Sequence, residues 1–156
     1  MKIISHRGNI KGPNPQKENR PSYIDCAIQL NYYVEVDIRW QDNNFWLGHD
    51  EPQYCIDSTW MESRKDKLWF HCKNQEAAIK MHNLNKNYLY FCHSNDSYVL
   101  TSTEHLWVHD LNSTIDHSCI VPLLTIQSIQ TYKNIQPFAV CTDFVNICKE
   151  KFIHEK

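Results

Sequence analysis

The stretch from Tyr33 to Asp50 reads YVEVDIRWQDNNFWLGHD. Its first half alternates, with Val34, Val36 and Ile38 on one side of a strand and Glu35, Asp37 and Arg39 on the other. Carboxylates two residues apart on one strand face sit on the order of 7 Å apart at Cα, which suits them to hold one hard cation between them. A turn over 41–44 follows. Phe45-Trp46-Leu47 then leads to Gly48-His49-Asp50, which places a histidine near the same mouth. The same alternation also describes an ordinary half-buried strand with a solvated polar face, so the choice between the two rests on the flanking residues.

Upstream, residues 2–6 form a short apolar strand that ends in His6-Arg7-Gly8, where Gly8 can take a positive φ and turn the chain sharply. Residues 9–20 carry Gly12, Pro13 and Pro15 and read as a loop. Pro21 opens a helix over roughly 21–31, with Ile24, Ala27, Ile28 and Leu30 on its apolar side. Downstream, 50–67 is mostly loop with one helical turn near Ser58–Arg64. A third strand covers 68–73, with Trp69, His71 and Lys73 on one face. Asn74 caps a helix over 75–86, and a fourth strand over 88–93 puts Phe91 and His93 on one face. Short strands follow at 98–101, 105–108 and 118–122, then a helix at 124–134, a last strand at 138–143 and an amphipathic tail.

Strand–helix alternation at the start predicts parallel βα units. The expected fold is therefore a compact TIM-type (β/α)8-like barrel forming a single domain over residues 1–156. Such barrels usually need about 250 residues, so this one is expected to lack several outer helices. His6, Glu35, Asp37, His71, His93 and Asp143 all fall at the C-terminal ends of predicted strands. In a parallel barrel those ends converge on the face that carries the active site.

Composition narrows the function classes. The chain is 42% hydrophobic, enough for a core, and its formal net charge of −2 supplies no basic field for nucleic acid. No run of 18 apolar residues is present, and His6 and Arg7 interrupt any signal-peptide core, so a transmembrane span is not expected. Seven cysteines, at 26, 55, 72, 92, 119, 141 and 148, form no C-x-x-C pair. They read as reduced thiols in a reducing, cytoplasmic compartment rather than as disulfides or a zinc site. The oligomeric state has no signature.

Taken together, His6-Arg7-Gly8, Glu18-Asn19, Glu35-x-Asp37 and His49-Asp50 stand in the order and spacing of a motif set. The set resembles the glycerophosphodiester phosphodiesterase family, a branch of the phosphatidylinositol-phospholipase-C-like TIM-barrel phosphodiesterases. The terminal Cys141-Thr142-Asp143-Phe144 looks like the Thr-Asp motif that ends the last strand in that family, while 94–136 shows little likeness. The resemblance implies a metal-dependent phosphoric diester hydrolase acting on a small phosphodiester, often through a cyclic phosphate. In these terms His6 and His49 form the acid–base pair, Glu35 and Asp37 hold a divalent cation, and Arg7 and Lys73 bind phosphate. His93 lines the pocket; Glu18 either braces the first loop or touches substrate.

One position departs from the family pattern. Where the family carries Glu-x-Lys at the end of the third strand, the Glu being a metal ligand, this chain has His71-Cys72-Lys73. His71 as third ligand lowers the ligand charge by one, which disfavours Mg²⁺ and Ca²⁺ relative to Mn²⁺ and Zn²⁺. The same departure keeps open an alternative, a catalytically silent barrel that binds a phosphorylated ligand. His82, His105, His109, His117 and His154 read as ordinary surface or helix histidines. The tryptophans read as core, with Trp40 and Trp46 the candidates for the pocket edge.

Overall fold

The computed structural model describes residues 1–84, 87–133 and 137–153. His154, and the C-terminal ends of the helices expected at 75–86 and 124–134, lie outside the described residues. Strand β1 (Lys2–His6) leads through α1 (Pro21–Gln29) to β2 (Tyr33–Gln41), and the chain then turns back through β3 (Asn44–Leu47) and β4 (Tyr54–Ile56). Helix α2 (Ser58–Glu62) precedes β5 (Leu68–Cys72), and α3 (Gln75–Leu84) precedes β6 (Leu89–Cys92). Strands β7 (Tyr98–Leu100), β8 (Leu106–Val108) and β9 (Cys119–Pro122) follow with no helix between them. Helix α4 (Ile126–Thr131), β10 (Ala139–Thr142) and α5 (Val145–Ile153) complete the order.

The ten strands form one mixed sheet. Its parallel run is β6-β5-β2-β1-β10-β9-β8. Strand β7 lies antiparallel on β8, and the β3–β4 hairpin lies antiparallel on the far end of β2. The sheet curls into a half-barrel with five short helices, and this corrects the (β/α)8-like TIM barrel expected from the sequence. The expected junction of first and last strands does form, with Lys2–Ser5 alongside Ala139–Thr142. Among the described residues, however, β6 pairs only with β5, and the free side of β8 is taken by β7.

The cause is chain length. A parallel crossover with its helix takes a dozen residues or more. Residues 93–105 are used for β7 and its turns, and 109–118 hold turns alone. The gap is bridged by a loop instead: Tyr90 N donates to Ser102 Oγ (2.9 Å), and Ser102 N donates to Tyr90 O (2.8 Å). Among the described residues no helix is long and apolar enough to cross a membrane.

Period-two alternation sorts the side chains into layers. Val34, Val36, Ile38 and Phe70 face outward under Ile24 and Ala27 of α1 and Ala77 and Met81 of α3. Val121 and Val140 face outward under Ile129 of α4 and Val145 and Cys148 of α5. The opposite phase, Ile4, Trp69, Phe91, Trp107, Ile120, Ala139 and Cys141, fills the inside of the curl. The apolar filling stops short of the strand ends, so inward residues there face an opening.

Asn74 ties two elements together at that end. Its Oδ1 accepts from Ala77 N (3.1 Å), the expected helix cap, and from Trp40 N (3.1 Å), while its Nδ2 donates to Trp40 O (3.0 Å). Asn74→Ala is expected to cost about 2 kcal/mol, a cap plus two partly buried backbone bonds. Chemical denaturation reads this as a lower midpoint at unchanged slope; a shift worth less than about 0.5 kcal/mol, the range of ordinary surface changes, contradicts the role.

Candidate functional site

The inward rows of β1, β2 and β5 end in charge. After β1 the chain turns through Arg7 (φ 53°) and Gly8 (φ 90°), where a Cβ would lie 2.9 Å from Tyr23 Cδ1. Arg7 N donates to Glu35 O (2.9 Å), which fixes the turn on β2. The left-handed backbone aims the guanidinium at β2: Nε lies 2.9 Å from Asp37 Oδ2, and Nη1 donates to Glu18 Oε2 (3.1 Å).

Asp37 is fully buried and clamped by Asn19, whose Nδ2 donates to Asp37 Oδ2 and whose Oδ1 accepts from Asp37 N, both at 2.9 Å. Burial pushes the Asp37 carboxyl up, but its bonds to His71 and Asn19 and the charge of Arg7 outweigh this and hold it below the usual carboxylate range. His6 Nδ1 meets Asp143 Oδ1 at 2.8 Å, and the same oxygen accepts from Asn9 Nδ2 (2.8 Å). His6 Nε2 lies 3.8 Å from Glu35 Oε2. Burial lowers the basicity of His6; the bond to Asp143 and the charge of Glu35 more than reverse it, so its pKa is raised.

His71 completes the group. Its Nδ1 is 3.3 Å from Asp37 Oδ1 and 3.6 Å from Glu35 Oε1, and Lys73 Nζ is 3.8 Å from Asp37 Oδ1. Burial pulls the His71 imidazole down, but Asp37 and Glu35 outweigh it and raise it to about 9. One ligand atom from each of Glu35, Asp37 and His71 lies within 4.8 Å of the others. Glu35 Oε2 and Asp37 Oδ1 are buried and held only at ion-pair distance, by His6 (3.8 Å) and by His71 (3.3 Å) and Lys73 (3.8 Å) respectively, so the charge they carry is met by positive groups whose place a bound cation could share. Two carboxylates and an imidazole around such oxygens fit a divalent cation.

These groups open onto one cleft of about 490 Å³. His6, Arg7, Glu35, His49, His71 and Lys73 line one side, and Phe91, His93, Trp107 and His109 line the other. Asp37 lies beneath this surface, and Glu18 stands behind Arg7, bonded also to Asn9 Nδ2 (2.9 Å) and Asn14 N (3.1 Å). Of the two readings of Glu18, the brace is the one its contacts describe. His49 sits at the rim with its side chain 40% exposed and Nδ1 2.7 Å from Asp50 Oδ1. Its loop is held by Arg39, which donates to the carbonyls of Gly48 and His49. Gly48 is required there, since a Cβ would meet Glu51 O at 2.0 Å.

Several contributors escape the sequence reading. Asp143 stands among the expected strand-end polar groups, but its hold on His6 is not legible there. His109 is read as an ordinary histidine. The signal for it is phase: Trp107 and His109 repeat the spacing of Phe91 and His93, so both pairs point inward. The tryptophan at the cleft is Trp107, while Trp40 packs against the outer core. No family model, no curated protein and no solved structure matches the chain.

The His71 shift gives a pH test on chelated protein. A histidine raised from 6.5 to about 9 contributes stability that is whole below 6.5 and is lost as pH rises through about 9. Unfolding free energy measured from pH 6 to 10 should therefore fall more steeply for the wild type than for His71→Gln. Parallel curves would show that the imidazolium does not stabilise the group.

Proposed function

We propose that the protein is a metal-dependent phosphoric diester hydrolase acting on a small glycerophosphodiester-like molecule. The observation that carries this reading is the meeting at one cleft of two cationic side chains, two histidines and a buried Glu35–Asp37–His71 group of metal-ligand spacing. The resemblance of the His-Arg-Gly, Glu-Asn, Glu-x-Asp and His-Asp elements to glycerophosphodiester phosphodiesterases supports the same reading. Glu35, Asp37 and His71 would hold one divalent cation (Mg²⁺, Ca²⁺, Mn²⁺ or Zn²⁺), which when bound neutralises charge gathering on the phosphate oxygens.

The chain's own groups supply the rest. Arg7 and Lys73 hold the phosphate and offset its charge in the transition state. His6 and His49 divide the proton transfers: one takes the proton of the attacking hydroxyl, and the other gives a proton to the leaving oxygen. Asp143, at 2.8 Å, orients His6 so that Nε2 is the atom left for the reaction. The seven free cysteines support a reducing, cytoplasmic setting, and the net charge of −2 argues against nucleic acid as the substrate.

One observation favours a second reading, a silent protein that binds a phosphorylated ligand. Asp37 is already paired with Arg7, Lys73 and Asn19, so the group is compensated without a cation. Assaying bis(p-nitrophenyl) phosphate after chelation, with each of the four cations added back, separates the two. Cation-restored hydrolysis supports the enzyme. Absence of hydrolysis with every cation, together with a melting temperature raised by phosphate, supports the binder.

A further inference from the structure

The second wall of the cleft differs in kind from the first. It is built from Phe91, His93, Trp107, His109, Pro122 and Leu124. Phe91 lies between His71 (centroids 4.7 Å, planes 10° apart) and Trp107 (4.1 Å, 17°), so both of its faces are covered and only its edge is left for the cleft. His93 and His109 stack on each other at 3.5 Å and 15°. The Phe91 edge carries the positive part of its quadrupole, and the faces that would attract a cation are covered by His71 and Trp107.

The two imidazoles do not make a metal site. Their nitrogen lone pairs lie in the ring planes, and nearly parallel planes 3.5 Å apart do not converge on one ion at bonding distance. Neither ring makes a hydrogen bond among the described residues, and His93 Nδ1 and His109 Nε2 are buried without a partner. Burial, with the nearby His93 and His71, pushes His109 down to about 4. Among the described residues no carboxylate lines this wall; Asp96, whose charge reaches His93 and His109, is exposed and lies outside the cleft lining.

We propose that this wall is the subsite for one ester substituent of the diester, and that it selects an uncharged group with a flat apolar body over a cationic headgroup. The inference rests on the diesterase reading and names the substrate class within it. Flat apolar groups pack on ring edges in the edge-to-face manner, beside Pro122 and Leu124. A trimethylammonium group would meet the Phe91 edge and apolar Pro122 and Leu124, and would lose hydration on a wall whose described lining holds no carboxylate.

The test compares two chromogenic diesters that release the same p-nitrophenolate, phenyl p-nitrophenyl phosphate and p-nitrophenyl phosphorylcholine, on Mn²⁺-loaded protein. The expected kcat/KM ratio favours the phenyl ester by about tenfold or more, as pocket contacts of this kind discriminate. His109→Asp places a carboxylate in the wall and should move the ratio about tenfold towards the choline ester, cancelling differences in intrinsic reactivity. Leu124→Glu, at an exposed position of the same wall, should move it the same way if His109→Asp does not fold. A wild-type ratio near one, or a ratio unmoved in the folded variants, overturns the subsite and leaves the diesterase reading standing. Hydrolysis of neither ester with any of the four cations overturns both.

Discussion

His6→Ala is expected to lower phosphodiester turnover by about 10² to 10⁴, the range a positioned acid–base group contributes, while the protein stays folded. The expectation follows from placement. His6 projects into the cleft rather than into the outer cores, so truncation removes a reacting group without opening the packed layers. His49→Ala should fall in the same range, because the second proton transfer is assigned to His49, whose Nδ1 is held by Asp50 at 2.7 Å. Asp143→Asn tests the positioning separately. It keeps the shape of the contact but removes the charge that helps raise His6, so the limb of the pH–rate profile set by His6 should move to lower pH. If His6→Ala and His49→Ala both turn over a diester at wild-type rates, the proton mechanism is wrong.

His71→Glu is expected to change which metal the site prefers. The wild-type set of two carboxylates and an imidazole should accept Mn²⁺ or Zn²⁺ at least as well as Mg²⁺. A third carboxylate raises the ligand charge and should shift the preference towards Mg²⁺ or Ca²⁺. The same substitution removes the imidazolium that faces Glu35 and Asp37 and adds a like charge beside them. The chelated variant should therefore melt below the wild type and recover more stability when Mg²⁺ is added. Calorimetric titration of both proteins with each cation reads the preference directly. An unchanged order of affinities would mean that His71 is not a ligand.

Much of the site was legible because strand chemistry is local. A two-residue period places Glu35 with Asp37 and His71 with Lys73 before any tertiary contact is known, and the structure brings all four to one cleft mouth or just beneath it. Positions set by long-range partners were harder to read. Asp143 bonds His6 across most of the chain, and no spacing rule foretells a partner that distant. The inward face of His109 shows only when Trp107 and His109 are set beside Phe91 and His93, because β8 by itself, Leu106–Val108, is too short to show a period.

The fold itself was half legible. Alternation in the first half correctly suggests parallel βα units, with α1 and α3 packed on β2 and β5. In the second half the same count of apolar segments suggests a closed barrel. What decides the matter is whether each connection has residues to spare for a helix, and 93–118 does not. There the chain adds antiparallel β7 instead, and the curl is left with an open ladder.

The measurement closest to the central claim follows the phosphorus NMR spectrum of a glycerophosphodiester incubated with chelated protein, without and with added Mn²⁺, each sample being quenched with excess chelator before its spectrum is recorded so that the paramagnetic ion does not broaden the lines. The predicted result is that the diester resonance persists in the chelated sample. After Mn²⁺ it should give way to a monoester or cyclic phosphate resonance, at a rate about 10² or more slower in His6→Ala. A diester resonance that stays unchanged with Mn²⁺, Zn²⁺, Mg²⁺ and Ca²⁺ alike, in protein shown to be folded, would contradict the account.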